Sequence, residues 1–263
     1  MCTLVLAWQV FADAPVVAAA NRDERFDRPA EPPSVREGES TRAGEPTVVA
    51  PRDAEAGGTW VGCNDAGVYA TITNRWLSED REGDRSRGLL VDDCLDHDSA
   101  AAAVRAVERE LDEREYDGFH LVVADESGAF LVANDGRVDV TRLDPGVHVV
   151  VNVGGVVNGR GRFTIPERRQ AVGERQAENA RRLGDRLRPD PGEAADDWLD
   201  RAGAALGDHD AGVCIHREGF GTRSSSLVRV GAGGETRFEF ADGPPCETAF
   251  EPVDLPRSFG DGH

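Results

Sequence analysis

The chain has 263 residues, enough to bury a sizeable core, and carries 49 acidic against 30 basic side chains for a formal net charge of −19. All 30 basic residues are arginine, and no arginine cluster is free of neighbouring acids, which excludes the basic face that a nucleic-acid partner requires. Dense carboxylates with no lysine suit an acidic, halophilic protein of a salt-rich cytoplasm, where hydration keeps it soluble and salt screens its self-repulsion.

In chain order, residues 3–11 and 16–20 are apolar runs separated by Asp13-Ala14-Pro15, the pattern of a buried hairpin. The five prolines between 28 and 51 read as a long surface loop. Residues 58–62 and 68–73 form a second hairpin around Asn64-Asp65-Ala66-Gly67. A helix is expected over 87–95. Another follows the capping pair Asp98-Ser99, with Val104, Val107 and Leu111 at helical spacing. Strands return at 119–124, 129–133, 138–143 and 147–151, punctuated by turn residues such as Asn134-Asp135-Gly136. Helices fit 166–187, with proline at its start, and 193–206. Strands at 213–216, 225–230 and 236–240 close the chain ahead of a proline-rich tail. Consecutive hairpins with helices grouped between them predict an α+β fold, a four-layer α/β/β/α sandwich of antiparallel sheets in one domain over 1–263.

Five cysteines, Cys2, Cys63, Cys94, Cys214 and Cys246, form no CxxC pair, so neither a disulfide framework nor a zinc pattern is expected. No metal and no cofactor is expected either. No run reaches membrane-spanning length and the apolar start lacks a basic flank, so a cytoplasmic protein without a membrane span is the expectation. Oligomeric state is not legible.

One site stands out. Removal of Met1 would leave Cys2 with a thiol and an α-amine on one residue, and an amine titrating at about 7.7–8.0 can take the thiol proton. Asn21-Arg22-Asp23-Glu24 ends the second apolar strand, beside the start of the first. Asp23 can orient the amine there, and Arg22 can pair an anionic substrate group. Cys63, Cys94, Cys214 and Cys246 read as packing residues, and His120 and His216 as satisfied core histidines.

The tetrapeptide Asn21-Arg22-Asp23-Glu24 stands with Met1-Cys2-Thr3, Asp27-Arg28-Pro29 and Gly57-Gly58-Thr59-Trp60-Val61-Gly62. Thr71-Ile72-Thr73-Asn74, Tyr116-Asp117-Gly118-Phe119-His120-Leu121 and Gly221-Thr222-Arg223-Ser224-Ser225-Ser226 follow in order. Together they resemble the NRDE family, which includes the transport and Golgi organisation protein 2 group. The chain departs from that pattern at Gly154-Gly155-Val156-Val157-Asn158-Gly159, where members carry Asp-Thr-Pro-Trp-Pro in a loop over the site. The layout also resembles N-terminal-nucleophile hydrolases of the choloylglycine hydrolase and penicillin V acylase type. That likeness implies a catalytic set of Cys2, Asp23, Asn74, Asn152 and Arg223, with Asn74 in an oxyanion hole and Asn152 orienting the amine or the substrate carbonyl. Asn21, Arg22 and Trp60 are the substrate-binding set, Trp60 also reading as core. The implied function is a cysteine amidohydrolase or acyltransferase acting on a linear amide of a small molecule. The alternative is a non-catalytic carrier on the same scaffold for haem or a lipid or acyl-CoA ligand, with Cys2, His120, His148 or His216 as haem ligand.

Overall fold

Strand alternation sets the layers. In the computed structural model, which describes residues 2–36, 46–79, 81–256 and 259, β1 (Thr3–Phe11) turns back as β2 (Ala14–Arg25). Then come β3 (Ala30–Arg36), β4 (Val48–Asp53), β5 (Val61–Asn64) and β6 (Tyr69–Asn74), followed by α1 (Arg87–Leu95) and α2 (Ala100–Glu113). Strands β7 (Phe119–Ala124), β8 (Ala129–Asn134) and β9 (Val138–Arg142) form successive hairpins, and the chain then crosses to the other sheet for the hairpins of β10 (Gly146–Val151), β11 (Gly154–Val157) and β12 (Arg160–Phe163). Helices α3 (Gln170–Arg186) and α4 (Ala195–Gly207) precede β13 (His216–Arg217), β14 (Phe220–Val230), β15 (Thr236–Ala241) and β16 (Glu251–Pro252).

Among the described residues these strands make two antiparallel sheets. One runs β12-β11-β10-β1-β2-β14-β15-β16, with β13 attached to β14, and the other runs β3 to β9 in sequence order. On β1, Val5 and Ala7 face α3 and α4, whereas Leu4, Leu6 and Trp8 face the second sheet. Both faces of β1 are therefore buried, which is why its sequence is almost continuously apolar. A third cluster lies between the second sheet and α1 and α2, with Leu90, Leu95, Val107 and Phe119 in its centre. Three apolar clusters between four layers make the expected sandwich of helices, sheet, sheet and helices. In the α3/α4 layer Trp198 is fully buried and donates its indole N–H to the Leu187 carbonyl at 2.8 Å. Truncating such a side chain to alanine costs about 3–5 kcal/mol. The Ser99 hydroxyl caps α2 by accepting from the Ala102 amide at 3.3 Å.

Two segments expected as loops are strands. The stretch 28–51 contains β3 and β4, while its middle, 37–45, lies outside the described residues. Pro32 and Pro33 are tolerated because β3 is the edge of its sheet and the register slips between Glu31 and Ser34, where they sit. The glycine-rich stretch from Gly154 is the β11–β12 hairpin. Its turn places Asn158 at φ 51° and Gly159 at φ 68°, the Asn-Gly pair that a tight hairpin turn favours. Conversely, the strand expected at 213–216 shrinks to His216–Arg217, and β14 begins five residues before the expected 225.

Candidate active site

The central position of β1 builds the site. Thr3 lies opposite Val151 of β10 and Asn21 of β2, so Cys2, one residue further out, meets the residues that end both neighbours. The backbone nitrogen of Cys2 donates to Asn152 Oδ1 at 3.0 Å, and its Sγ is 3.9 Å from the Asp23 carbonyl oxygen. Gln176 Nε2, from α3, also donates to Asn152 Oδ1 at 2.9 Å, while Asn152 Nδ2 donates to the Asn74 carbonyl at 2.6 Å. A carbonyl only accepts, so this bond fixes which way the Asn152 amide points and keeps its oxygen on Cys2. Burial pushes the Cys2 thiol above its ordinary pKa, so the thiol holds its proton until a base takes it.

Asp23 is buried beside Cys2. Its Oδ1 accepts from Thr222 Oγ1 at 2.6 Å, and the same hydroxyl accepts from the Ile215 amide at 2.9 Å. The incoming N–H aims the hydroxyl proton at Asp23. Burial raises the Asp23 pKa, and the Thr222 hydrogen bond pulls it part of the way back.

On the inter-sheet side, Cys2, Arg22, Trp60, Thr71 and Thr73 line a cavity of about 20 Å³. The Arg22 guanidinium lies 4.1 Å over the Trp60 ring, and its Nη2 is 3.3 Å from Asp53 and 3.9 Å from Glu24. Its Nη1 is buried without a partner. A donor left unmade in a low-dielectric site is costly, and an oxygen entering the cavity could satisfy it. A larger groove of about 450 Å³ opens between the sheets, lined by Arg75, His120, Asp139, Gly154, Arg160 and Arg162. It adjoins the site through the chain, because Arg75 follows Asn74 and Gly154 lies two residues beyond Asn152. Burial first, and then the Arg75 charge, depress the His120 pKa to about 3, so its imidazole is neutral.

The structure thus brings Cys2, Asp23, Asn152, Arg22 and Trp60 together. Asn74 joins them through its backbone carbonyl, with its side chain exposed at the end of β6. Asn21 lines the cavity, but its side chain is engaged with the helix layer and β14. Its Nδ2 donates to the Leu206 and Val213 carbonyls at 3.1 and 3.0 Å, and its Oδ1 accepts from Ser225 at 2.6 Å, which commits both of its donors within the fold. Arg223 sits at the bulge in β14 and pairs with Asp242. Among the haem-ligand candidates, His148 spends Nε2 on the Asp144 carbonyl and Nδ1 on the Asn158 amide. His216 is exposed and touches Cys214 and Cys246. Sequence reasoning missed Thr222 and Gln176. Gln176 interrupts the small and apolar stripe Gly173, Ala177, Ala180 and Leu183 on α3, the one pattern that marked it.

A model of the family described as Transport and Golgi organisation 2 matches residues 1–240. No curated protein matches the sequence. Among solved structures, the penicillin V acylase of Agrobacterium tumefaciens superposes with a TM-score of 0.60 at 14% identity, over 97% of this chain and 87% of that one. A conjugated bile acid hydrolase from Clostridium perfringens gives 0.49 at 11% identity, over 100% and 94% of the two chains. The Caenorhabditis elegans ortholog of N-acylethanolamine-hydrolyzing acid amidase gives 0.48 at 11%, over 86% and 92%. At such identities the likeness is one of fold, the N-terminal-nucleophile hydrolase sandwich, and the acylase carries it. No described helix is long and apolar enough to cross a membrane.

Proposed function

The chain belongs to the Transport and Golgi organisation 2 family, and we propose that it is an N-terminal cysteine amidohydrolase or acyltransferase acting on a linear amide of a small molecule. The supporting observation is the 3.0 Å contact between the Cys2 nitrogen and Asn152 Oδ1, which would hold the α-amine of a chain beginning at Cys2 against its own thiol. In this reading the amine takes the thiol proton and the sulfur attacks the amide carbon, forming the C–S bond. The resulting ammonium protonates the leaving nitrogen as the C–N bond breaks, leaving a thioester on Cys2. A water, or an acceptor amine or alcohol, gives its proton to the amine and attacks the thioester carbon; the C–S bond then breaks, the ammonium returns the proton to the Cys2 sulfur, and the acyl group leaves on the acceptor.

Arg22 Nη1 is the donor available to the developing oxyanion or to an anionic group beside it, a contribution of about 3–4 kcal/mol for donors of this kind. The Asn74 side chain is exposed and Asn152 Nδ2 spends one of its two N–H groups on the Asn74 carbonyl, so in this reading Arg22 takes a share of the oxyanion role. The larger groove carries both signs of charge, Arg160 and Arg162 with Asp139 and Asp144, which favours a polar substrate. The test is labelling of the purified protein with a panel of electrophilic amides, read by intact mass and peptide mapping. The reading requires Met1 to be absent and Cys2 to be modified in preference to the other four thiols. A chain that keeps Met1, or labels Cys2 no faster than Cys246, would sink it, and saturable ligand binding without labelling would favour a carrier.

A further inference from the structure

Two histidines and a cysteine within residues 209–216 meet a second cysteine, Cys246, at the end of the first sheet. Each of His209, Cys214, His216 and Cys246 offers one ligand atom, and these four atoms all lie within 4.8 Å of one another. We propose that they form a tetrahedral binding site for a soft divalent cation, zinc above all, that clips the 209–216 segment to the loop after β15. The proposal departs from the expectation that Cys214 and Cys246 only pack and that the cysteines form no zinc pattern.

The edges of the cluster fit the chemistry. Zinc bonds of about 2.3 Å to sulfur and 2.0–2.1 Å to nitrogen give tetrahedral edges of about 3.8 Å between sulfurs and about 3.5 Å between sulfur and nitrogen. The observed separations are 3.5 Å for Cys214 Sγ to Cys246 Sγ, 3.5 Å for Cys214 Sγ to His216 Nε2, and 3.1 Å for His216 Nε2 to Cys246 Sγ. A disulfide needs about 2.05 Å between sulfurs and gives no reason for two imidazoles to gather on them. The rings of His209 and His216 lie with centroids 5.1 Å apart, as two ligands of one ion can.

The local chain explains the convergence. His209 opens a one-turn 3-10 helix, and Gly212 reverses the chain at φ 68°. Cys214 sits in a bend just before β13, and its sulfur meets the ring of His216, two residues on. Cys246 is presented by the turn after Pro244, whose carbonyl accepts from the Glu247 and Thr248 amides at 3.0 and 2.9 Å. Gly207 at the end of α4 seats that turn, since a Cβ there would lie 3.1 Å from the Pro245 carbonyl carbon. Four protein ligands leave no open position, so the ion is structural. Three of the four residues are exposed, which gives the ion a way in.

The clip reaches the candidate active site through Ile215, which lies between two ligands. Its amide donates to Thr222 Oγ1, its carbonyl accepts from the Thr222 amide at 2.8 Å, and Thr222 holds Asp23. The test uses the full chain, reduced and stripped by a chelator, and titrated with Co²⁺. One equivalent is expected to produce thiolate-to-cobalt charge-transfer bands and the intense visible bands of tetrahedral cobalt, both erased by Zn²⁺. Zn²⁺ raises Tm in the same protein. Cys246→Ser, an exposed change that leaves the fold intact by circular dichroism, weakens binding by about 100-fold or more. Cys214→Ser combined with Cys246→Ser abolishes the charge-transfer bands, whereas Cys2→Ala keeps both stoichiometry and spectrum. Absence of tetrahedral bands with all thiols reduced would overturn the proposal. So would their survival in the double variant, or a native Cys214–Cys246 disulfide with no cobalt uptake after reduction. None of these outcomes depends on whether Cys2 is a nucleophile.

Discussion

The backbone nitrogen of Cys2 and the side-chain oxygen of Asn152 are 3.0 Å apart although 150 positions separate them. Asn152→Ala removes that acceptor and leaves the Gln176 amide and the Asn74 carbonyl without their partner. The second-order rate of Cys2 labelling is expected to fall by about 100-fold, the cost of a nucleophile misplaced by about 1 Å. A variant that labels at the parent rate would show that Asn152 positions nothing.

Thr222→Val deletes the hydroxyl between Ile215 and Asp23 while keeping the shape. With its hydrogen bond gone, the Asp23 carboxyl is expected to titrate higher still, because that bond is among the influences holding it down. The acid limb of the pH–labelling profile therefore moves to higher pH. Stability falls by about 1–3 kcal/mol for the polar groups left unpaired, as read by denaturant unfolding. An unmoved acid limb would separate Asp23 from the chemistry.

Arg22→Lys keeps a charge but loses the planar fork over Trp60 and the unpartnered Nη1. Labelling by carboxylate-bearing amide probes is expected to slow by about 10–100-fold relative to neutral probes of the same reactivity. Equal slowing of both probe classes would place Arg22 in packing instead of recognition.

How much of this was legible follows from where the determinants lie. Cys2 and Asp23 could be paired from sequence because a hairpin joins them, and hairpin geometry is local. Asn152 was reachable only through resemblance, since nothing near it announces that β10 will lie beside β1. The direction of the Asn21 side chain follows from period. In a strand it must point away from Arg22, and its two amide donors serve the helix layer. The His209, Cys214, His216 and Cys246 cluster was invisible because its closest pair is Cys-x-His and its fourth member arrives 30 positions later. The strands β3 and β4 were hidden by prolines that an edge strand accommodates.

Acidification is expected to destabilise the protein below pH 6.5, in part through His120. Its folded pKa of about 3 lies below the unfolded value, so between those limits only the unfolded chain gains the proton. The stability His120 contributes is present above pH 6.5 and is lost as pH falls towards 3, by at most about 1.4 kcal/mol per unit. His120→Asn removes that slope. Urea titrations of both proteins at pH 7 and pH 5 test it, and identical pH dependence would refute it.

Salt is expected to stabilise the fold. At a net charge of −19 the folded state gains more from screened self-repulsion than it loses from its surface arginine–carboxylate pairs, each worth about 0–1 kcal/mol. Tm should rise between about 0.1 M and 1 M KCl, as the Debye length shrinks from about 10 Å to 3 Å. A falling Tm would mean that the ion pairs dominate.

The strand order carries a consequence for the timing of reactivity. Cys2 is made among the first residues, yet its neighbours Asn152 and Gln176 come from the middle of the chain, and the hydroxyl that aims at Asp23 comes from position 222. Strand β14 must be synthesised and paired with β2 before that hydroxyl arrives, and β15 then adds to its other edge. On the proposed reading, the Cys2 thiol therefore lacks these neighbours through most of translation, and its surroundings are complete only once β14 is in place.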